Sequence, residues 1–350
     1  MSKQIPNHAE TVLVTGGTGF IASWCIVELL RSGFTVRTTV RSLSKEQAVR
    51  AAISTVIDPG DYPGDRLTFF PADLTLDAGW EKAVAGCDYV LHVASPLGRD
   101  NPKSPDALIV PARDGVLRVL RAATKAGCKR VVMTSACAAA SPSSYGEDRV
   151  TDESLWTDPK DDTLNNYKRS KTLAELAAWQ FMKECDSPTT LTTILPGAVF
   201  GPVLSADNVG SVQVIGSLLQ GRFPATPRLG FEVVDVRDLI DIHIRAMMST
   251  RAAGERFIAV GQFMWMTDIA KTLRTRLGSS ASKVPARTMP DWVFRFLAFF
   301  NPELCLVLPG LGRKHRHSPE KAQRLLGWRS RSAEETVIDC AKSLIAHEVV

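Results

Sequence analysis

The run Gly16-Gly17-Thr18-Gly19-Phe20-Ile21-Ala22 constrains this chain more than any other feature. It follows directly on a β-branched apolar stretch at 11–15 and opens an apolar helix at 20–32. Glycines at such a junction permit a tight turn and let backbone N–H groups close on a pyrophosphate. The positive end of the following helix attracts the same group. Two registers overlap: Gly17-x-Gly19-x-x-Ala22 fits the dinucleotide fingerprint G-x-G-x-x-G/A, and Gly16-x-x-Gly19-x-x-Ala22 has a looser spacing. Alone, a glycine triplet is an ordinary tight turn. With a strand before it, a helix after it and a second strand at the right distance, it predicts a dinucleotide cradle formed by Gly16, Thr18, Gly19, Phe20 and Ile21.

Short β-branched runs at 11–15, 35–40, 67–71, 89–93, 130–134 and 191–195 alternate with amphipathic stretches at 20–32, 45–57, 79–85 and 105–126. Gly33, Gly86 and Gly127 stand where a helix needs its closing residue. The pattern predicts successive βαβ units: an α/β fold with a Rossmann-type, doubly wound parallel sheet. After Pro196 a Gly- and Pro-rich stretch leads to a strand and helix over 231–248, a strand at 256–260 and then mostly helices. The expected layout is a cofactor-binding domain over 8–198 plus about 236–260. A smaller, mainly helical substrate domain, from about 199–235 and 261–350, interleaves with it.

The 42 Lys and Arg against 37 Asp and Glu leave a scattered excess of +5, so no nucleic-acid partner is expected. The densest basic cluster is Arg313-Lys314-His315-Arg316-His317. The most membrane-like stretch, 292–308, is broken by Arg295, Asn301, Pro302 and Glu303 before it reaches the ~20 apolar residues of a span. It reads as a buried helix and turn or as the wall of an apolar pocket, and no membrane partner is expected. Seven cysteines without a C-x-x-C pair, and no apolar leader, point to a reducing, cytoplasmic setting. The spacing shows no metal motif.

The end of the second strand decides which dinucleotide fits. NAD calls for an acid about 20 residues past the glycines, and NADP for a cation. Residues 33–45 contain no acid, and the strand runs into Arg41, whose guanidinium suits a 2′-phosphate; NADP(H) is the expected cofactor.

Tyr167 and Lys171 lie four apart ahead of an apolar-periodic helix, so they share one helical face. A neighbouring ammonium and an oxidised nicotinamide both favour the phenolate, which makes the phenol a usable proton donor and acceptor. Y-x-x-x-K is common by chance; downstream of the glycine loop it becomes specific.

With these pieces in place the chain resembles the extended short-chain dehydrogenases/reductases, in particular the group of dihydroflavonol reductases, cinnamoyl-CoA reductases and NADPH-dependent aldehyde and carbonyl reductases. The resemblance covers nearly the whole chain. It implies that Asp73 and Leu74 bracket the adenine and that Val93, Ala94 and Ser95 line the cofactor beside His92. It further implies that Pro196 and Val199 meet the nicotinamide carboxamide and that Ser211 reaches a cofactor phosphate. Further matching segments are Val234-Asp235-Val236-Arg237-Asp238, Ser318-Pro319-Glu320-Lys321-Ala322 and Leu326-Gly327-Trp328.

One position departs from the pattern. The family serine is the second of Thr-Ser-Ser, and here the stretch reads Thr134-Ser135-Ala136-Cys137. Three possibilities stay open: a bend lets Ser135 substitute, Tyr167 polarises the carbonyl alone, or the substrate contributes a group. Ser135 is kept as a third catalytic candidate. His92 and Cys137 read as packed wall residues.

The resemblance implies NADPH-dependent reduction of an aldehyde or ketone, with Tyr167 giving the proton and Lys171 holding the ribose. Segments 96–98, 141–145, 204–228 and part of 265–266 or 292–300 would form the pocket, whose apolar and aromatic character favours a hydrophobic or aromatic carbonyl compound. Nucleotide-sugar epimerisation or dehydration shares Y-x-x-x-K but prefers NAD, and a non-catalytic NADP sensor needs no Tyr167/Lys171 pair. The expected state is a monomer or homodimer.

Overall fold

The computed structural model describes residues 10–58, 64–96, 105–142, 150–207 and 210–350. In chain order the first half reads β1 (Thr11–Val14), α1 (Phe20–Arg31), β2 (Thr35–Val40), α2 (Glu46–Ser54), β3 (Leu67–Pro71), α3 (Trp80–Val84), β4 (Tyr89–His92), α4 (Asp106–Lys125) and β5 (Arg130–Thr134). Then come β6 (Val150–Thr151), α5 (Asn166–Glu184), β7 (Thr190–Pro196), β8 (Ala198–Phe200), α6 (Val212–Leu219), β9 (Gly230–Asp235), α7 (Val236–Met248) and β10 (Arg256–Ala259). The chain ends with β11 (Phe263–Trp265), α8 (Met266–Leu277), α9 (Asp291–Phe300), α10 (Pro302–Val307), β12 (Arg316–His317), α11 (Glu320–Leu326) and α12 (Ala333–Ala346).

Seven strands form one parallel sheet in the order β10-β7-β5-β4-β1-β2-β3. Strands buried on both faces read as near-continuous apolar runs, and β4 and β5 are buried at every position. The strand order reverses between β1 and β4, so a crevice opens at their carboxyl ends, where doubly wound sheets hold ligands. Helices cover both faces. One core cluster joins the sheet to α1, α2 and α7, and the other joins it to α3, α4 and α5.

The remaining elements build a smaller part that is mainly helical yet also carries a three-stranded sheet, β11-β9-β8, with β8 and β9 parallel and β9 and β11 antiparallel. Its core is continuous with that of the large sheet: Val337, Ala341 and Leu344 of α12 belong to the same buried cluster as Val12 and Val14 of β1. β10 returns to the large sheet, so the chain passes between the two parts more than once.

The 292–308 stretch differs from the expectation of a buried helix or pocket wall. α9 forms, but Trp292, Phe296, Phe299 and Phe300 are exposed, and only Phe294 and Ala298 of its residues are buried. Aromatic residues surround most of this helix. Sequence periodicity therefore cannot say which side faces inward.

Candidate active site

At the end of β1 the chain turns sharply. Gly16 has φ +74°, the left-handed region that favours glycine, and a Cβ there would lie 2.9 Å from the Ala94 Cβ. At Gly17 a Cβ would come within 2.4 Å of Thr38 Oγ1. The turn is tied to its neighbours: Gly17 N donates to Thr39 O at 2.8 Å, Gly16 N to Thr39 Oγ1 at 2.9 Å, and Gly19 N to Gly16 O at 2.8 Å. Gly19 is the N-cap of α1 with no side-chain cap, which leaves amides of Phe20 and Ile21 in the first turn for an incoming anion. Thr18 is exposed.

The end of β4 closes the other side of the crevice. Thr15 Oγ1 accepts from the Val93 and Ala94 amides at 3.1 and 3.0 Å and lies 3.0 Å from His92 Nδ1. His92 is buried, and desolvation together with the nearby Lys171 ammonium pushes its pKa down to about 3. It is therefore a neutral packed residue at ordinary pH. Ser95 and Pro96 follow, and the pocket segments 96–98 and 141–145 lie partly outside the described residues.

Arg41 stands exposed just past β2 and, among the described residues, forms no ion pair. It is close enough to Asp73 to act on that carboxyl. Asp73 accepts from the Thr75 amide at 2.8 Å and the Thr75 hydroxyl at 2.7 Å, and these bonds hold it below the usual carboxylate range. The adjacent Leu74 packs on α4 at Gly115, where a Cβ would come within 2.8 Å of its own Cβ. These residues put an exposed cation and an anchored acid near one another past the ends of β2 and β3.

Asn165 caps α5 by accepting from the Lys168 amide at 2.9 Å, so Tyr167 sits in the first turn and Lys171 one turn later. Although Tyr167 is 41% exposed, the packing around its phenol, and after it Cys137, push its pKa up to about 12. Lys171 is buried, and desolvation outweighs the favourable charge of Glu175 to push it down to about 8. The pair lies near the crevice, because the Lys171 charge is felt by His92 at the end of β4.

The hydroxyls beside Ala136 are engaged elsewhere. Ser135 Oγ donates to Glu175 Oε2 at 2.6 Å, and Thr134 Oγ1 lies 2.7 Å from His243 Nε2 on α7. Glu175 is fully buried. It also accepts from Thr193 Oγ1 at 2.7 Å and pairs with Arg256 Nε at 2.8 Å. Ala136 itself precedes a helical turn at Cys137–Ala140, and Cys137 Sγ donates to Leu195 O at 3.1 Å. Pro196 is buried as the last residue of β7, Val199 is buried in β8, and Ser211 opens α6 half-buried.

Sequence reading missed a buried group behind Tyr167. Glu232 accepts from the His317 backbone amide at 2.6 Å and from its Nδ1, and Ser141 Oγ lies 3.4 Å from Nε2. The donor atoms of Cys137, Glu232 and His317 fall within 4.8 Å of one another. They come from separate elements and no short motif joins them. Acid and imidazole satisfy each other's hydrogen bonds, so the group reads as a packed polar contact behind the cleft.

Comparisons with known proteins bear on the family and the fold. A family model described as the NAD dependent epimerase/dehydratase family matches residues 12–261. The chain is 34% identical over 292 residues to an anthocyanidin reductase, (2S)-flavan-3-ol-forming, of Vitis vinifera, covering 79% of this chain and 83% of that protein. It is 36% identical over 274 residues to the cinnamoyl-CoA reductase CAD2 of Medicago truncatula, covering 77% and 81%. The structure of Gre2 from Candida albicans in complex with NADPH superposes with a TM-score of 0.78 at 25% identity, over 97% of this chain and 99% of that one. By its glycine loop, its sheet order, its Tyr167/Lys171 pair and these relatives, the chain belongs to the NAD-dependent epimerase/dehydratase family, the extended short-chain dehydrogenases/reductases.

Proposed function

We propose that this protein is an NADPH-dependent reductase of hydrophobic or aromatic aldehydes or ketones, with Tyr167 as the proton donor. One observation carries the reading. Lys171 is buried one helical turn from Tyr167, and its charge is felt by His92 at the end of β4, the strand that leads into Ala94, which lies against Gly16.

The cradle fits the cofactor by its own geometry. Cβ atoms at Gly16 and Gly17 would strike Ala94 and Thr38, so only glycine lets the turn pack this closely and leave its backbone bare, α1 offers uncapped amides, and the exposed Arg41 can take a 2′-phosphate. The NADPH in the Candida albicans relative supports the same choice. When bound, NADPH supplies the hydride that reaches the carbonyl carbon.

The chain's residues supply the rest. As the carbonyl carbon gains hydride, its oxygen gains negative charge and takes the Tyr167 proton. The Lys171 ammonium holds the ribose hydroxyls and stabilises the phenolate left behind, which opposes the packing that raises the Tyr167 pKa. Ser135 serves as a positioning residue: its hydroxyl is bound to Glu175, the carboxylate one turn beyond Lys171. Tyr167 is then the hydroxyl that polarises the carbonyl. The anthocyanidin and cinnamoyl-CoA reductases among the relatives support an aromatic substrate class.

NADPH oxidation measured with a panel of aromatic and aliphatic aldehydes and ketones, together with product analysis of sugar nucleotides, whose epimerisation or dehydration consumes no net NADPH, tests the reading. Turnover of one or more carbonyl compounds and none of the sugar nucleotides is expected. Turnover confined to sugar nucleotides would overturn it.

A further inference from the structure

We propose that α9 and the basic turn that returns to it form a face that lies on an anionic lipid surface. The helix presents Trp292, Phe296, Phe299 and Phe300 at 73%, 63%, 84% and 68% exposure, positions that recur with helical spacing on one side. The rings pack on one another, with centroids 5.3 Å apart for Phe296 and Phe300 and 5.2 Å for Phe299 and Phe300. Phe294 and Ala298 hold the opposite side of the helix in the fold. A contiguous aromatic face of this kind is uncommon on a surface that meets only water.

The charges around it choose the partner. Arg295 lies on the flank of the same helix and is exposed. From α9 the chain comes back through α10 to Gly312, whose amide donates to Arg228 O at 2.7 Å, and Arg228 pairs with Asp291 at the start of α9 at 2.6 Å. That link ties the turn carrying the exposed Arg313 and Lys314 to the first residue of α9 and neutralises the acid there, with Lys314 Nζ 5.4 Å from the centre of the Phe263 ring. Aromatic side chains at the headgroup level with a cationic collar suit an interfacial helix on anionic lipid. A second copy fits less well, because a two-fold contact would oppose like cations. None of the described helices is long and apolar enough to cross a membrane, so the face lies on the bilayer. The expectation of no membrane partner rested on this stretch being too short and too interrupted to span a bilayer, which does not bear on a helix that lies on its surface.

The test is flotation of the full chain with vesicles of phosphatidylcholine alone or mixed with phosphatidylserine, at low and high salt. Binding to the mixed vesicles that weakens with salt is expected. Phe296→Glu/Phe299→Glu should weaken it about tenfold or more. Arg313→Glu/Lys314→Glu should weaken it about five-fold per cation removed, on the mixed vesicles only. Thermal unfolding checks that the variants fold, and Phe299→Ala is the milder substitute if the double change does not. Absence of binding to either vesicle would overturn the proposal, as would binding indifferent to the phenylalanines. Concentration-dependent dimerisation lost in the phenylalanine variant, without vesicle binding, would assign the face to a second copy instead.

Discussion

Arg41 is the residue on which cofactor choice is expected to turn. Its guanidinium is exposed at the end of β2 with no ion-pair partner among the described residues, and a 2′-phosphate would be its natural one. Arg41→Asp should weaken NADPH by about 10²-fold, from the ~1.5–3 kcal/mol of a charged hydrogen bond, and leave NADH nearly unchanged. Fluorescence titration of both cofactors checks this, and an unaltered preference would remove the residue from the site. The signals that single out Arg41 and the Tyr167/Lys171 pair as candidates are local: a strand end without acids and a spacing of four. The hydrogen bond of Ser135 to Glu175 has no such local signal. Strand alternation tells which face a hydroxyl leaves from, and it says nothing of Glu175, which lies far along the chain on α5. Ser135→Ala should therefore cost ~1–3 kcal/mol of stability in chemical denaturation while kcat changes little. A large loss of kcat at unchanged stability would return Ser135 to the reacting group.

At the scale of elements, the turn from β1 into α1 depends on Gly17. A valine there would drive its side chain into Thr38, whose Oγ1 holds Val14 O at 2.9 Å. Cofactor binding should fall by an order of magnitude or more while the far edge of the sheet stays folded; calorimetric titration with NADPH and circular dichroism separate the two effects. The strands were read almost residue for residue, since buried parallel strands are unbroken β-branched runs between glycines. Helix ends were harder. The expected 45–57 helix spans only Glu46–Ser54, and the last residues of that stretch leave the helix in turns. α9 shows the opposite limit: the helix was legible, its exposure was not, because burial is a property of what packs on an element.

At the scale of the molecule, the Glu175–Arg256 pair joins α5 to β10 across the sheet. Arg256 also donates to Glu153 O at 2.7 Å, Leu155 O at 3.0 Å and Ala139 O at 3.2 Å, so it holds the loops behind the site. Arg256→Ala leaves a buried carboxylate unpaired and should destabilise the fold by about 3–5 kcal/mol in denaturant unfolding. An effect below ~1 kcal/mol would mean that water reaches Glu175. Nothing in the sequence joins these residues, which are far apart in the chain and meet only when the sheet closes.

Charge at Lys171 follows the same logic of burial. Because its pKa is pushed down to about 8, the free protein loses this ammonium as pH rises through that value, well before an exposed lysine would. NADPH affinity should decline across that range, and Lys171→Met should flatten the profile.

The central claim is that Tyr167 delivers the proton. Single-turnover oxidation of bound NADPH by a reducible aldehyde or ketone, compared between the native protein and Tyr167→Phe, tests it most directly, with NADPH affinity measured alongside. The phenylalanine keeps the ring and removes only the hydroxyl. NADPH should bind unchanged while the rate of hydride transfer falls by about 10² to 10⁴. A variant that binds NADPH and transfers hydride at the native rate would contradict the account.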